Sequence, residues 1–429
     1  MRKIFALIIC VVMVVAAFGG CAAAGKPGET TAAPAVEHVL KVGYGRANAT
    51  PKTGMPYAGG DSSVLPIGLP TEDEFFVTCI ALTDENDTTI LLYYLDLIYP
   101  GATTSYSRGR ISKETGVPIQ NIILATTHNH RAPALDVNTY DSEQYSESYK
   151  EWMMEAALAA MEDRKPAKMH IASTHVPNST FVRHFVAEDG TRGGWSKYGA
   201  SSIATVYEAD DELQLVKFTR EGGKDVVLMN WQGHPMSNAR STTELRSDAD
   251  IYRKYLEREL DCYFAYFLGA SGDLAYDISL KPIRNQEWYT NDYIQRGTEL
   301  AQHAVEAAAN FKEVQIGALQ LVTNKTQLYN EEGKNPIDIS LSAFSVGDLA
   351  FVIVPYEMFG INGSTVKEGS PFEMTFLSTC TNGYASYVVA DHAYDYDCYE
   401  LTRTNYQRGT AERLATEYVS ILNQIYSTK

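Results

Sequence analysis

The chain has 429 residues, 45% hydrophobic and 21% charged, enough for one large globular domain or two modest ones. A net charge of −17 without long acidic runs argues against a nucleic-acid binder and against electrostatic docking on anionic lipid. An anionic substrate would need a local basic patch, and the sequence shows none.

The N-terminus reads as a processing signal and not as fold. Arg2 and Lys3 precede an apolar run from Ile4 to Phe18 that is too short for a comfortable membrane span. Phe18-Gly19-Gly20-Cys21 then resembles a bacterial lipobox, with Phe18 in place of the usual leucine. The alternative is an ordinary secretory signal with an incidental cysteine. The lipobox reading makes residues 1–21 a signal ending at a lipidated Cys21. Residues 22–37 become a flexible tether, rich in Ala, Gly, Thr and Pro, and the folded domain covers 38–429. The expected location is an exported, membrane-anchored lipoprotein at the cell surface or in the periplasm, with no protein partner evident.

Beyond the tether, apolar runs alternate with amphipathic stretches. Strands are expected at Ile90–Asp96 and Ile122–Ala125, then at Val226–Trp231, Tyr263–Leu268 and Ala350–Val354. The last three are short continuous apolar runs, as in strands covered on both faces. Helices are expected at Ser105–Thr115, Tyr149–Asp163, Asp250–Leu260, Tyr289–Phe311 and Thr404–Tyr426, with Ser247 a candidate cap for the third. Residues 176–199 read as loop or hairpin. This alternation predicts one α/β to α+β domain, a mixed sheet flanked by helices, and no internal repeat is visible. Among the cysteines, Cys79, Cys262, Cys380 and Cys398 lie in the domain without any CxxC spacing. Cys380 and Cys398 are either a disulfide of an exported protein or isolated buried thiols.

Three strand exits carry chemistry. His128 and His130 follow the Ile122 run at i, i+2, so in an extended segment both imidazoles leave on one side. One can bind a metal while the other sits beside its water. His234 follows the Val226 run, with Pro235 stiffening the turn, and Glu357 follows the Phe351 run. Two histidines and a carboxylate match the three-ligand pattern of catalytic zinc with a position left for water. Each residue alone is more often a packed or solvated side chain; the combination predicts a hydrolytic metalloenzyme.

In order along the chain, the motifs are Gly45-Arg46-Ala47-Asn48, Thr127-His128-Asn129-His130, Gly233-His234-Pro235, Ser247-Asp248, Ala270-Ser271-Gly272-Asp273, Pro355-Tyr356-Glu357, Asn382 to Tyr387 and Cys398-Tyr399-Glu400. This series resembles the catalytic domain of neutral/alkaline (non-lysosomal) ceramidases and their shorter bacterial relatives. The resemblance implies Zn²⁺ held by His128, His234, Glu357 and Tyr387; spacing alone does not single out Tyr387 among 28 tyrosines. It implies that His130, Arg183 and Tyr399 are catalytic, beside the water and the substrate amide. Tyr384 and Asp273 would lie near the site without a defined role. Arg131 departs from the family, standing where a small residue is usual, and the family's immunoglobulin-like C-terminal domain is not expected here.

The expected function is zinc-dependent hydrolysis of a linear N-acyl amide, with a lipid or small N-acyl molecule as substrate. Two alternatives stand beside it: a metal-dependent esterase, lactonase or amidase on a non-ceramide substrate, and a non-catalytic metal-binding surface lipoprotein.

Overall fold

The computed structural model describes residues 38–57, 67–177, 179–194, 203–206, 208–235, 244–275 and 293–429. The expected signal, Cys21 and tether lie outside these residues, as do the first positions of the helix expected from Tyr289. Among the described residues, twelve strands and six helices carry the architecture. They fall into three successive units of one topology, β-β-β-α-β-α.

The first unit has β1 (Leu40–Asn48), β2 (Phe76–Thr83), β3 (Thr89–Leu95), α1 (Ala102–Thr115), β4 (Ile122–Thr126) and α2 (Tyr140–Glu162). The second has β5 (Lys165–His175), β6 (Glu212–Arg220), β7 (Asp225–Trp231), α3 (Asp248–Glu259), β8 (Cys262–Leu268) and α4 (Tyr293–Ala308). The third has β9 (Leu319–Leu328), β10 (Ile337–Val346), β11 (Leu349–Ile353), α5 (Gly360–Glu368), β12 (Met374–Ser378) and α6 (Thr410–Tyr426). In every unit the first three strands pair antiparallel and the fourth pairs parallel to the third. The two helices of each unit pack on one another. The sequence has no repeat at this period; the recurrence lies in topology alone.

Units one and two share a sheet through the antiparallel β1–β5 pair, giving the strand order β8-β7-β6-β5-β1-β2-β3-β4, with Lys312–Val314 added on β5. The sheet curls so that strands far apart in this order touch. The rings of Tyr44 (β1) and Tyr263 (β8) stack at 4.4 Å, and Tyr94 (β3) meets Phe267 (β8) at 6.5 Å. Unit three forms its own four-stranded sheet, and the Asn230 amide of β7 donates to Leu377 O of β12 at 2.8 Å. The parallel pairs β3/β4, β7/β8 and β11/β12 are buried along nearly their whole length. Continuous apolar runs in the sequence are the signature of such strands.

Expected and observed elements agree closely for five of these six buried strands; β12 was not expected. The helix expected from Tyr149 begins instead at Tyr140, because the Thr139 hydroxyl accepts from Ser142 N at 3.4 Å and starts it across polar turns. Ser247 caps α3 by accepting from Asp250 N at 3.1 Å. The stretch after Val176 forms a hairpin of His184–Ala187 and Arg192–Gly194. All four domain cysteines are buried free thiols, so Cys380 and Cys398 form no disulfide. Among the described residues no helix is long and apolar enough to cross a membrane.

Two glycines let α2 lie directly on β1. A Cβ at Gly43 would meet Ala160 O at 1.9 Å, and one at Gly45 would meet Ala156 O at 2.1 Å, both immovable backbone. Gly109, inside α1, has nothing within 4 Å of the corresponding point. The two positions should respond with opposite sign in thermal unfolding. Gly45→Ala forces helix and sheet apart at a cost of about 1–3 kcal/mol or more, whereas Gly109→Ala gains about 0.5–1 kcal/mol of helix propensity.

Candidate metal centre

Site residues leave the carboxyl ends of the third and fourth strands of the units, where open α/β sheets gather their ligands. His128 and His130 follow β4, His234 follows β7, and Glu357 follows β11. Tyr384 and Tyr387 follow β12. His128, Cys380, Asn382 and Ser386 all have left-handed backbone, with φ of 55°, 49°, 61° and 58°. Four such residues in two loops mark a site where conformation is imposed by its surroundings.

The segment Thr379–Asn382 supplies that constraint. Thr379 donates to Leu268 O at 2.9 Å from its amide and to Gly269 O at 2.8 Å from its hydroxyl, gripping the end of β8. Three residues on, Asn382 N donates to Leu124 O at 2.9 Å, and its side-chain oxygen accepts from Leu124 N at 2.8 Å. The Thr126 hydroxyl adds a bond to Cys380 O at 2.9 Å. One loop therefore joins the two outer edges of the curled sheet, β8 and β4.

Three imidazoles converge as a result. His130 Nε2 lies 3.3 Å from His128 Nε2 and 3.0 Å from His234 Nε2. The Nδ1 atoms of His128 and His234 face carbonyl oxygens, Ile98 O at 2.8 Å and Ser271 O at 3.0 Å. A carbonyl only accepts, so each Nδ1 carries a proton and each Nε2 turns inward, with a lone pair to offer a cation once that nitrogen is unprotonated. Glu357 Oε2, 3.3 Å from His128 Nε2, is buried without a hydrogen-bond partner among the described residues, while Oε1 accepts from the Tyr384 hydroxyl at 2.7 Å. Donors sharing one tetrahedral zinc stand roughly 3.4 Å apart. Inward lone pairs and an orphaned carboxylate oxygen at this spacing fit a divalent cation, and they form a possible metal site.

Protonation follows the same crowding. Burial and the neighbouring His128 and His130 hold His234 well below the usual histidine range. Burial alone would raise Glu357, but His128 and His234 hold it well below the usual carboxylate range. His128 is raised well above its ordinary value: burial opposes this, and Cys380 and Glu357 outweigh it.

The other expected residues fall on the Tyr387 side. Tyr387 pairs with Glu357 in a parallel bridge and receives a 3.4 Å contact from Arg183 Nη2. Arg183 is buried, donates to Gly272 O at 2.6 Å, and is clamped through Nε by Glu400 Oε1 at 2.5 Å. Half-buried Tyr399 meets the Tyr387 ring edge-on at 6.0 Å, with the Arg183 guanidinium 5.9 Å from its own ring. His130, expected beside a water, stands within the imidazole cluster itself. Tyr384 touches Glu357 directly and stacks on Tyr99 at 4.6 Å, both rings partly exposed. Asp273 accepts from Gly360 N at 2.7 Å, at the start of α5. Arg131 is buried and donates to the Tyr57 hydroxyl at 2.7 Å.

Sequence reasoning missed Asp96. This buried carboxylate accepts from the Thr127 hydroxyl (2.9 Å), the Asn129 amide (2.9 Å) and the Ser247 hydroxyl (2.5 Å), flanking His128 on both sides. An acidic residue closing the apolar run Leu91-Leu92-Tyr93-Tyr94-Leu95 was the available signal.

No family model matches the sequence, and no curated protein matches it. The fold is similar to two solved structures. One is a ceramidase complexed with C2, at TM-score 0.71 and 13% identity over 91% of this chain and 76% of that one. The other is the neutral ceramidase from Pseudomonas aeruginosa, at TM-score 0.72 and 15% identity over 91% and 75%. The chain has the neutral ceramidase fold, a mixed α/β architecture with a large mixed sheet flanked by helices.

Two predictions follow from the loops around the cluster. Asn382→Ala removes the acceptor for Leu124 N and disfavours the left-handed backbone. It should cost about 1–3 kcal/mol in unfolding and weaken metal binding about 10–100-fold, while Asn382→Asp, which keeps the acceptor, stays near wild type. Asp96 is pushed up to about 6 by burial, against its hydrogen bonds from Ser247, Asn129 and Thr127. The folded state therefore binds its proton more tightly than the unfolded chain, whose carboxylate titrates at about 3.9. This contribution to stability is present below that value and is lost as pH rises to 6. The stability of Asp96→Asn relative to wild type should increase by roughly 2 kcal/mol between pH 4 and 6 and level off above about pH 7; a flat difference throughout would contradict it.

Proposed function

We propose that the protein is a metal-dependent hydrolase of N-acyl amides, ceramidase-like, with His128, His234, Glu357 and Tyr387 as the residues that would hold a zinc-class ion. The observation carrying this reading is the inward convergence of imidazole lone pairs on an orphaned buried carboxylate oxygen, at the carboxyl ends of the parallel strands. The likeness in fold to a ceramidase complexed with C2 supports the substrate class.

When bound, such an ion supplies a Lewis acid for the amide carbonyl and lowers the pKa of water to roughly 7. The chain does the rest. Ile98 and Ser271 hold the two ligand rings in one tautomer. His130 stands within the cluster beside the two ligand rings, where an imidazole can carry a proton to the leaving amine. Arg183 donates toward Tyr387 and the Tyr399 ring stands beside it, so both lie on the Tyr387 side of the centre, where their donors can stabilise negative charge developing on the carbonyl oxygen. The stacked, partly exposed Tyr99–Tyr384 pair offers an apolar lip for an acyl group.

The test is turnover of a fluorescent short-chain ceramide beside a panel of N-acyl amides, esters and lactones. Dialysis against a chelator, verified by elemental analysis, should abolish hydrolysis, and His128→Ala and His234→Ala should reduce it to background. Arg183→Ala should lower kcat by about 10²–10³-fold. Full turnover by verified metal-free protein ends the reading; turnover of esters alone moves the substrate class.

A further inference from the structure

His184, Cys398 and Glu400 form a second cluster of metal-ligating side chains, behind the first centre. One ligand atom from each lies within 4.8 Å of the others, and all three residues are buried, at 0%, 3% and 1% exposure. His184 Nε2 is 3.0 Å from Glu400 Oε2, while its Nδ1 is buried with no hydrogen-bond partner among the described residues. The Cys398 thiol makes a contact of 3.9 Å to Ala393 O, long even for sulfur. The His392 ring stands edge-on to His184 at 6.1 Å.

We infer that His184, Cys398 and Glu400 bind a second, structural metal ion of the zinc class. A thiolate, an imidazole and a carboxylate are a donor set suited to zinc and unsuited to magnesium or calcium. The spacing agrees: one ligand atom from each of the three residues lies within 4.8 Å of the others, close enough for all three to share one ion. Glu400 can serve both neighbours, because Oε1 holds Arg183 and leaves Oε2 facing the cluster. Ligation displaces the thiol proton of Cys398 and any proton on His184, and it changes no oxidation state.

The consequence lies in chain adjacency. Arg183 directly precedes His184, and Tyr399 stands between Cys398 and Glu400. An ion here ties the hairpin beginning at His184 to the segment 397–400, which already meets it through Gly194 N to Asp397 O at 3.0 Å. It thereby positions Arg183 and Tyr399 against Tyr387. This consequence rests on the hydrolase reading; the existence of the site does not.

The experiment is cobalt and zinc reconstitution of the purified chain, read by elemental analysis and absorption. Two ions per chain are expected, with a near-ultraviolet thiolate-to-cobalt charge-transfer band. The band should persist in His128→Ala and in Cys380→Ser, each variant checked for folding by circular dichroism, and vanish in Cys398→Ser together with one ion. One ion per chain without a thiolate band overturns the proposal in the wild-type protein alone, whatever the variants do. A band that survives Cys398→Ser also overturns it. Failure of the first centre appears separately, as an intact thiolate band with a single ion unaffected by His128→Ala.

Discussion

The site depends on Thr379–Asn382, the segment that closes the curled sheet. Laid flat, eight strands at about 4.8 Å spacing would hold β4 and β8 some 34 Å apart. The imidazoles delivered beside those edges, on β4 and β7, nevertheless lie within 4.8 Å of one another. Apolar contacts such as Tyr44 on Tyr263 drive the curl but are not directional. The segment is directional, because its hydrogen bonds engage Leu268 and Gly269 at one edge and Leu124 at the other. Five bonds at about 1 kcal/mol each outweigh the left-handed backbone of Cys380 and Asn382, at about 1–2 kcal/mol each. The margin is small, which suits a loop whose strain is spent on fixing ligand positions.

The repeated unit explains why the donors come from distant sequence. Each unit ends its third and fourth strands at the same pole, so one geometric position recurs six times with different side chains. In the first unit it holds Asp96 as support and His128 with His130 as donors. The second gives His234 and then Ser271 with Asp273. In the third it gives Glu357 and then the loop bearing Cys380, Tyr384 and Tyr387. Supporting and donating roles are shared among the three units around one centre. Ser271 lends His234 a carbonyl and Asp96 steadies the neighbours of His128, so no unit makes the site alone.

Legibility in the sequence followed burial and period. The strands of the parallel pairs are covered on both faces, and the uninterrupted apolar runs of β3, β4, β7, β8 and β11 showed their extent and their exits, which led to His128, His234 and Glu357, whereas β12 was not expected. The topological recurrence was invisible, since three units can share hydrogen-bond order while packing different side chains. Asp96 was hidden because a carboxylate at a strand end is ordinary until its three donors from residues 127, 129 and 247 are known. Tyr384 was placed near the site without a role for the same reason. Among 28 tyrosines only folding distinguishes the one 2.7 Å from Glu357 Oε1.

Charge balance sets how the centre can tolerate Arg183. A guanidinium that contacts Tyr387 repels any cation held by the adjacent histidines, and burial strengthens that repulsion. Glu400 offsets it: its Oε1 lies 2.5 Å from Arg183 Nε, and Arg183 holds Glu400 near the bottom of the carboxylate range, at about 2, against burial. Paired in this way, Arg183 presents a hydrogen-bond donor to the Tyr387 oxygen with little net charge. A lysine could not do the same, because a single ammonium lacks the fork that meets Glu400, Gly272 and Tyr387 at once. The buried ion pair is therefore better understood as a means of placing a donor beside a cation than as a source of stability, since such pairs seldom repay their desolvation.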